Sequence, residues 1–221
     1  MRKTATTNKR GVQKRKEILE KARELFWSKR FSGTSIKNIA VACRCAQGNI
    51  YNHFRSKEDI LYEILLSDME YLISTIQPLE DDRDTSPIEQ LRVFIDKHLE
   101  FILTPAGKGL LYFEAEVEHL SHPHKREIIK WRDAYDRILR KIIRRGIDAG
   151  LFREVSEKLV DFAISSLIVR ARLWYSPEGE LSFSELSRAI SDLFLNGLKT
   201  RAKTLQEVES TASLKREGGE R

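Results

Sequence analysis

Apolar residues recur at helical spacing along this chain, and no stretch alternates with period two for long enough to compete. In residues 15–29, Ile18, Leu19, Ala22, Leu25 and Phe26 fall at i, i+1, i+4, i+7 and i+8, the stripe of an amphipathic helix. Helix-start signals repeat downstream. Ser86-Pro87-Ile88-Glu89 combines an N-cap, a proline at the first helical position and a capping-box glutamate, and Thr104-Pro105 and Ser182 with Glu185 open helices in the same way. Ser56-Lys57-Glu58-Asp59 has the form of a capping box with Asp for Glu, and opens a helix carrying Ile60, Leu61, Ile64, Leu65 and Met69 as far as Pro78. Residues 79–85 read as an acidic loop, 124–149 as a long helix stopped by Gly150, and 156–175 as an apolar helix ending at Ser176-Pro177. Gly 11 and Pro 5 are too few for the many tight turns of a sandwich or a doubly wound sheet. The expectation is an all-α fold of about nine helices.

Charge divides this helical chain. Residues 1–60 hold fifteen Lys/Arg against five Asp/Glu, a surplus of ten, so the remainder carries −4 of the overall +6. A basic first quarter on a mildly acidic body points to a polyanionic partner for that quarter. Seven of the cations lie in residues 1–16, where a solubilising tail would account for them, but the charge between Lys21 and Lys57 needs another reason. No uncharged apolar run nears the ~20 residues of a membrane span, and no apolar segment follows the basic start as in a secretory signal. Cys43 and Cys45, one residue apart, make a poor structural disulfide. A cytoplasmic protein with no membrane partner is expected. The two thiols read either as small buried hydrophobes or as a redox switch.

Two short helices, 34–41 and 46–52, separated by about three residues, have the dimensions of a helix-turn-helix. Thr34 is placed to cap the first, and Ile36, Ile39 and Ala40 supply its inner face. At the exposed start of the second stand Gln47, Gly48 and Asn49. Gln and Asn can bond adenine through two atoms, and glycine lets the backbone approach a base edge. Tyr51, Asn52 and His53 carry groups suited to phosphate, and Lys57 adds a cation at a helix start.

Residues 15–61 resemble the DNA-binding domain of the TetR family of transcriptional repressors. The resemblance rests on Ile18-Leu19, Ala22, Leu25-Phe26, Phe31, Thr34-Ser35-Ile36, Ile39-Ala40 and the run Gly48-Asn49-Ile50-Tyr51-Asn52-His53-Phe54-Arg55-Ser56-Lys57-Glu58. It implies that Thr34, Ser35, Tyr51, His53 and Lys57 contact the DNA backbone while Gln47, Gly48 and Asn49 face bases. The chain departs from the family's pattern at Arg30 and Arg44, where glycines usually end the first helix and make the turn, and at Cys43, Cys45 and Ala46. Each arginine in a left-handed position costs about 1 kcal/mol and brings a charge beside the duplex; Arg44 therefore joins the DNA-binding set. Ala46 removes the expected cap of the recognition helix.

The same resemblance implies a homodimer on a near-palindromic duplex operator, with a ligand pocket among the C-terminal helices and the last two pairing as a four-helix bundle. Leu159, Phe162, Phe183, Leu186, Ile190, Leu193 and Phe194 are the candidate dimer residues. Residues 110–198 resemble the C-terminal domain of acyl-CoA-responsive TetR regulators of fatty-acid and sterol degradation, through Phe113-Glu114, His119-Leu120, Trp131-Arg132-Asp133-Ala134-Tyr135, the Gly146 to Phe152 run and Arg170-Ala-Arg-Leu-Trp174-Tyr175-Ser-Pro-Glu-Gly179. Read as one helix, Arg170 and Trp174 stand at i, i+4, where a guanidinium beside a core needs an anion. That anion is either a structural glutamate among Glu114, Glu116 and Glu118 or, as the resemblance implies, the ligand. An acyl-CoA effector would lie against Phe94, Phe101, Leu110, Phe113, Trp131 and Tyr135, with Arg137, Arg140, Lys141, Arg144 and Arg145 available for its phosphates unless they form a solvated helix face.

The expected organisation is a basic flexible arm (1–14), a helix-turn-helix domain (15–60), a ligand-binding and dimerisation domain (61–200) and a polar tail (201–221). His119, His122 and His124 straddle Pro123 and read as surface histidines, so no metal and no cofactor are expected. No P-loop, HExxH, nucleophile elbow or dinucleotide turn suggests an enzyme. The expected function is an acyl-CoA-released repressor of lipid-degradation genes. The rivals are a repressor answering another small hydrophobic ligand, as in efflux control, and a protein that coats DNA without sequence preference.

Overall fold

The computed structural model describes residues 2–103 and 116–199, with side chains from residue 10 onward. Four helices build an N-terminal head: α1 (Arg2–Lys29), α2 (Ile36–Ala42), α3 (Gln47–Tyr51) and α4 (Lys57–Ile76). Among the described residues, five more form the body: α5 (Pro78–Asp81), a single turn, then α6 (Pro87–Leu103), α7 (His122–Asp148), α8 (Glu157–Ala171) and α9 (Phe183–Leu198). Among the described residues there is no strand, only an isolated antiparallel bridge between Phe152 and Lys199, and no helix long and apolar enough to cross a membrane.

The apolar stripe read from the sequence closes the head. Ile18, Ala22 and Phe26 of α1 pack with Ile39 and Ala40 of α2, Ile50 of α3 and Ile60, Leu61, Ile64 and Leu65 of α4. Each large side chain taken wholly out of water contributes about 1.5–3 kcal/mol. The second half of α4, through Met69, Leu72, Ile73 and Ile76, belongs instead to the body core. That core also takes Leu91, Phe94, Ile95 and Leu99 from α6 and Tyr135, Ile138, Leu139, Ile142 and Ile143 from α7. Helix α7, 27 residues and so about 40 Å long, mirrors α4: its Ile128 packs in the head cluster. Two rigid helices thus run through both cores, with no linker between them.

Helix α7 stops where expected. Gly150 adopts φ +70, and Phe152 folds back onto Gly146 so closely that a Cβ there would lie 2.1 Å from its ring. Other boundaries differ from the sequence reading. Helix α1 starts at Arg2, so residues 2–14 of the expected arm are helical. The cap of α2 is Ser35, whose hydroxyl accepts from Asn38 N in a reciprocal capping box. The acidic loop begins with the helical turn α5, because Leu79 is buried and draws it onto the body. Helix α8 ends at Ala171, not near Tyr175. The helix expected at Thr104 falls outside the described residues.

Candidate nucleic-acid interface and effector region

Local chemistry explains the shape of the reading unit. Helix α2 closes with Cys43, then Arg44 turns the chain at φ 48 and Cys45 N donates to Ala40 O. Arg30 similarly sits at φ 64 after α1. Both arginines therefore occupy the left-handed positions inferred for them, at a cost of about 1 kcal/mol each. Ala46, the N-cap of α3, makes no side-chain cap bond, as the missing serine implies. Ile50, fully buried, pins α3 to the head. Gln47, Gly48, Asn49, Asn52 and Arg44 are exposed, Tyr51 is 54% exposed and His53 is half-buried. Cys43 is buried, and burial pushes its thiol pKa up, the less reactive direction.

Two residues carried over to the DNA backbone are turned inward instead. Thr34 is 2% exposed, and its hydroxyl donates to Arg30 O and Leu25 O. The Lys57 ammonium donates to Phe31 O at 2.8 Å and Thr34 O at 2.7 Å, and lies 4.0 Å from the Phe31 ring centroid. Burial lowers its pKa, while the Glu116 charge acts the other way. Both side chains fasten the loop between α1 and α2, where free carbonyls need donors. Ser35 is exposed, with its hydroxyl engaged by Asn38.

Other head cations are engaged within the chain as well. Lys14 bonds Cys43 O and Glu17; Arg15 pairs with Glu63 and lies over Phe54. The exposed cations Lys37, Arg44 and Arg55 flank α3.

The expected effector residues divide into two groups. Phe94, Phe101 and Tyr135 are buried together in the body core, with Trp131 packed against it. The Phe94 and Tyr135 rings lie 5.1 Å apart, and Phe101 meets Tyr71 at 5.6 Å. Leu110 and Phe113 lie outside the described residues. Arg170 and Trp174 are not part of this core: Arg170 is exposed and Trp174 is 55% exposed. Ile164, Ile168 and Ala171 take the inward face of α8, which leaves Arg170 outward, and the helix ends before Trp174. Nor do the proposed glutamate partners serve Arg170, since Glu116 lies near Lys57 and Glu118 pairs with Lys125; Glu114 is outside the described residues.

Sequence reasoning missed the polar partners of Tyr135 in that core. The Tyr135 hydroxyl is 2.7 Å from His98 Nδ1 and 3.1 Å from Ser165 Oγ. Burial drives the His98 pKa down to about 3, so the imidazole is neutral at pH 7, and raises that of Tyr135. Asp161, beside Ser165, is pushed up to about 6 by burial and by Asp136, against the pull of Arg140. A histidine on the apolar face of α6, opposite a tyrosine on the apolar face of α7, was the available signal.

The cations of α7 line an outer cleft of about 390 Å³ with Glu80, Arg83, Asp133 and Glu157. Four of them are matched by acids and Arg145 by backbone carbonyls, rather than left for phosphates. Arg137 and Lys141 share buried Glu80, Arg140 bonds Asp161, Arg144 pairs with Glu157, and Arg145 donates to Asp82 O and Leu79 O. They clamp α5 and α8 onto α7. Among the histidines, His119 stacks on Phe31, while His124 stacks on Tyr62 and meets Glu58. Glu58, Asp59 and His124 hold potential ligand atoms within 4.8 Å of one another, but Glu58 Oε1 already accepts from Ser121 N.

Residues 18–64 match the family of bacterial regulatory proteins typified by tetR, and residues 84–198 match the tetracyclin repressor-like C-terminal domain. The chain belongs to the TetR family. It is 26% identical over 194 residues to the HTH-type transcriptional repressor KstR2 of Mycolicibacterium smegmatis, covering 87% of this chain and 94% of that relative. The solved TetR family regulator PfmR from Thermus thermophilus is 33% identical with a TM-score of 0.72, over 83% of this chain and 99% of PfmR. AibR, solved in complex with isovaleryl coenzyme A and operator DNA, shares the fold at 22% identity and a TM-score of 0.75, over 81% and 97%. The family is one of DNA-binding transcriptional regulators.

This TetR-family chain leaves part of α8 and α9 uncovered. Leu159 (67%), Phe162 (66%) and Leu193 (64%) are exposed. Leu186 and Ile190, expected in the same interface, are buried in the chain's own core, with Phe183 and Phe194 packed against it. The buried stripe of α9 runs through Leu186, Ile190, Leu195 and Leu198, and Leu193, seven residues on from Leu186, stands at its edge.

Proposed function

We propose that this TetR-family regulator is a homodimeric repressor released from a near-palindromic operator by an acyl-CoA thioester, governing fatty-acid or related lipid degradation genes. The carrying observation is α3, where buried Ile50 holds exposed Gln47, Gly48, Asn49 and Tyr51 outward. Gln47 and Asn49 suit adenine edges, and Tyr51, Asn52 and His53 suit phosphates. A two-fold operator needs a two-fold reader, and Leu159, Phe162 and Leu193 offer an apolar face for the pairing. The two α3 helices would then stand about 34–36 Å apart, one turn of duplex.

Support for a thioester comes from the likeness in fold to AibR, solved with isovaleryl coenzyme A and operator DNA. Phe94, Phe101, Trp131 and Tyr135 supply apolar contact, and Leu110 and Phe113 belong to the same reading. Arg170 and Trp174, exposed beyond that core, suit an anionic head group. The ligand must bind the non-reading arrangement better, since equal binding to both shifts nothing. Titrating palmitoyl-CoA into an operator complex should dissociate it; unchanged mobility across a panel of thioesters removes the inducer. The neutral His98, Tyr135 and Ser165 group favours a second reading, an uncharged oxygen-bearing hydrophobic ligand of the efflux type.

A further inference from the structure

One side chain beyond α8 reaches the DNA-binding head. Arg172 caps α8, and its guanidinium carbon lies 3.9 Å from the ring centroid of Trp27 on α1. Arg23, one turn before Trp27 and so on the same face of α1, donates from Nη1 to Asp68 Oδ2 at 2.6 Å. Asp68 belongs to α4 and is 5% exposed. Burial raises its pKa, while Arg23 and then Arg172 act to lower it, so the Arg172 charge bears on this carboxylate too. Head helix α1, spine α4 and the end of body helix α8 therefore meet in four side chains.

The neighbours of Arg172 point elsewhere. Arg170 is exposed, and Leu173 and Trp174 are about half exposed. The segment presents Arg170 and Trp174 outward and a single cation toward the head. We propose that Arg172 is the positioning residue through which an effector engaging Arg170 and Trp174 resets the DNA-binding head. This rests on the reading above that those two residues meet the effector. A planar guanidinium stacks on an indole face and serves a carboxylate at its edge, and both attractions fade once it slides off the ring. Helix α1 also carries Ile18, Ala22 and Phe26 of the head core, on which α2 and α3 pack. A shift at Trp27 is thus delivered to the recognition helix through close-packed side chains, which transmit displacement rather than absorb it. In a dimer two such junctions act on one operator.

A double-mutant cycle on the full chain reads this coupling, with operator affinity measured by fluorescence anisotropy, with and without palmitoyl-CoA. Without thioester, Arg172→Ala and Trp27→Ala each weaken operator binding roughly three- to tenfold, and the double variant is no weaker than either single one. With thioester, the ratio of operator Kd values with and without ligand collapses toward one in Arg172→Ala, while the thioester's own Kd stays within about twofold of wild type. Arg172→Lys, which keeps the charge and loses the planar stack, falls between. Single effects that multiply in the double variant, or a wild-type ratio in Arg172→Ala, would overturn the proposal. Should Trp27→Ala unfold, Trp27→Phe carries the cycle. A wild type indifferent to palmitoyl-CoA defeats the effector reading, and the ligand-free cycle still decides whether the junction exists.

Discussion

The head and the body are both packed helices, yet their interiors are chemically unlike. The head closes on Ile18, Ala22, Phe26, Ile39, Ile50, Ile60 and Leu61, with the Thr34 hydroxyl satisfied by two carbonyls. The body core threads His98, Tyr135, Ser165 and Asp161 among its aliphatic residues. A buried polar group is tolerated only with partners, so such a seam costs stability unless every member is matched. An apolar interior fixes the recognition helix by packing alone, whereas the body interior is also held by directional hydrogen bonds. The α4 and α7 helices are rooted in both cores and join them without a linker.

The largest effect on operator binding is expected outside both cores. Phe162→Glu with Leu193→Glu places charges on the exposed face of α8 and α9. Sedimentation should report monomers and operator affinity should fall at least about a hundredfold, roughly 2.7 kcal/mol, with helicity unchanged. Dimers of normal affinity would assign that face another role. Within the head, Ile50→Ala removes a fully buried anchor and should cost about 2–5 kcal/mol by chemical denaturation. Leu139→Ala in the body should cost a similar amount, but only the head variant should lose operator binding faster than it loses fold.

The polar seam is tested by His98→Phe, which leaves the Tyr135 hydroxyl short of a partner and should cost about 1–3 kcal/mol at pH 7.5. The pH dependence has a definite sign. His98 titrates at about 3 in the fold against an ordinary value near 6.5, so the unfolded chain takes up the proton first. The stability it confers is complete above pH 6.5 and is lost as the pH falls toward 3. The wild type's advantage over His98→Phe should shrink below pH 6.5 with a slope approaching ~1.4 kcal/mol per unit. Asp161, raised to about 6, acts in the opposite direction, but it is present in both proteins and cancels in the difference. A pH-independent difference would mean that His98 is charged or solvated in the fold. The smallest expected change is a gain: Ala46→Ser supplies the missing cap of α3 and should add about 0.5–1 kcal/mol.

Much of the head was legible in the sequence because one periodic stripe and a short run of recognition residues fix it locally. Even Arg30 and Arg44 were foreseen in left-handed positions. Thr34 and Lys57 were not, since only the folded loop shows carbonyls of Phe31, Leu25 and Arg30 waiting for donors. In the body, helix positions followed from caps and prolines, but the face of each residue did not. Arg170 and Trp174 share a helical spacing in the sequence, and α8 ends between them. The cations of α7 resemble a phosphate site until Glu80, Asp161 and Glu157 are seen to match them. Such pairings join residues 13 to 61 positions apart, and spacing along a chain carries no trace of them.

The account stands on α3 as a reader of base sequence. The direct measurement is the affinity of the purified chain for genomic fragments against random duplex at moderate ionic strength, repeated with Gln47→Ala and Tyr51→Ala. The expected result is tight, footprinted binding to a near-palindromic fragment, base preference relaxed by Gln47→Ala, and a uniform weakening across sequences by Tyr51→Ala. Equal, steeply salt-dependent affinity for every duplex, unchanged by Gln47→Ala, would contradict it and leave charge alone as the basis of binding.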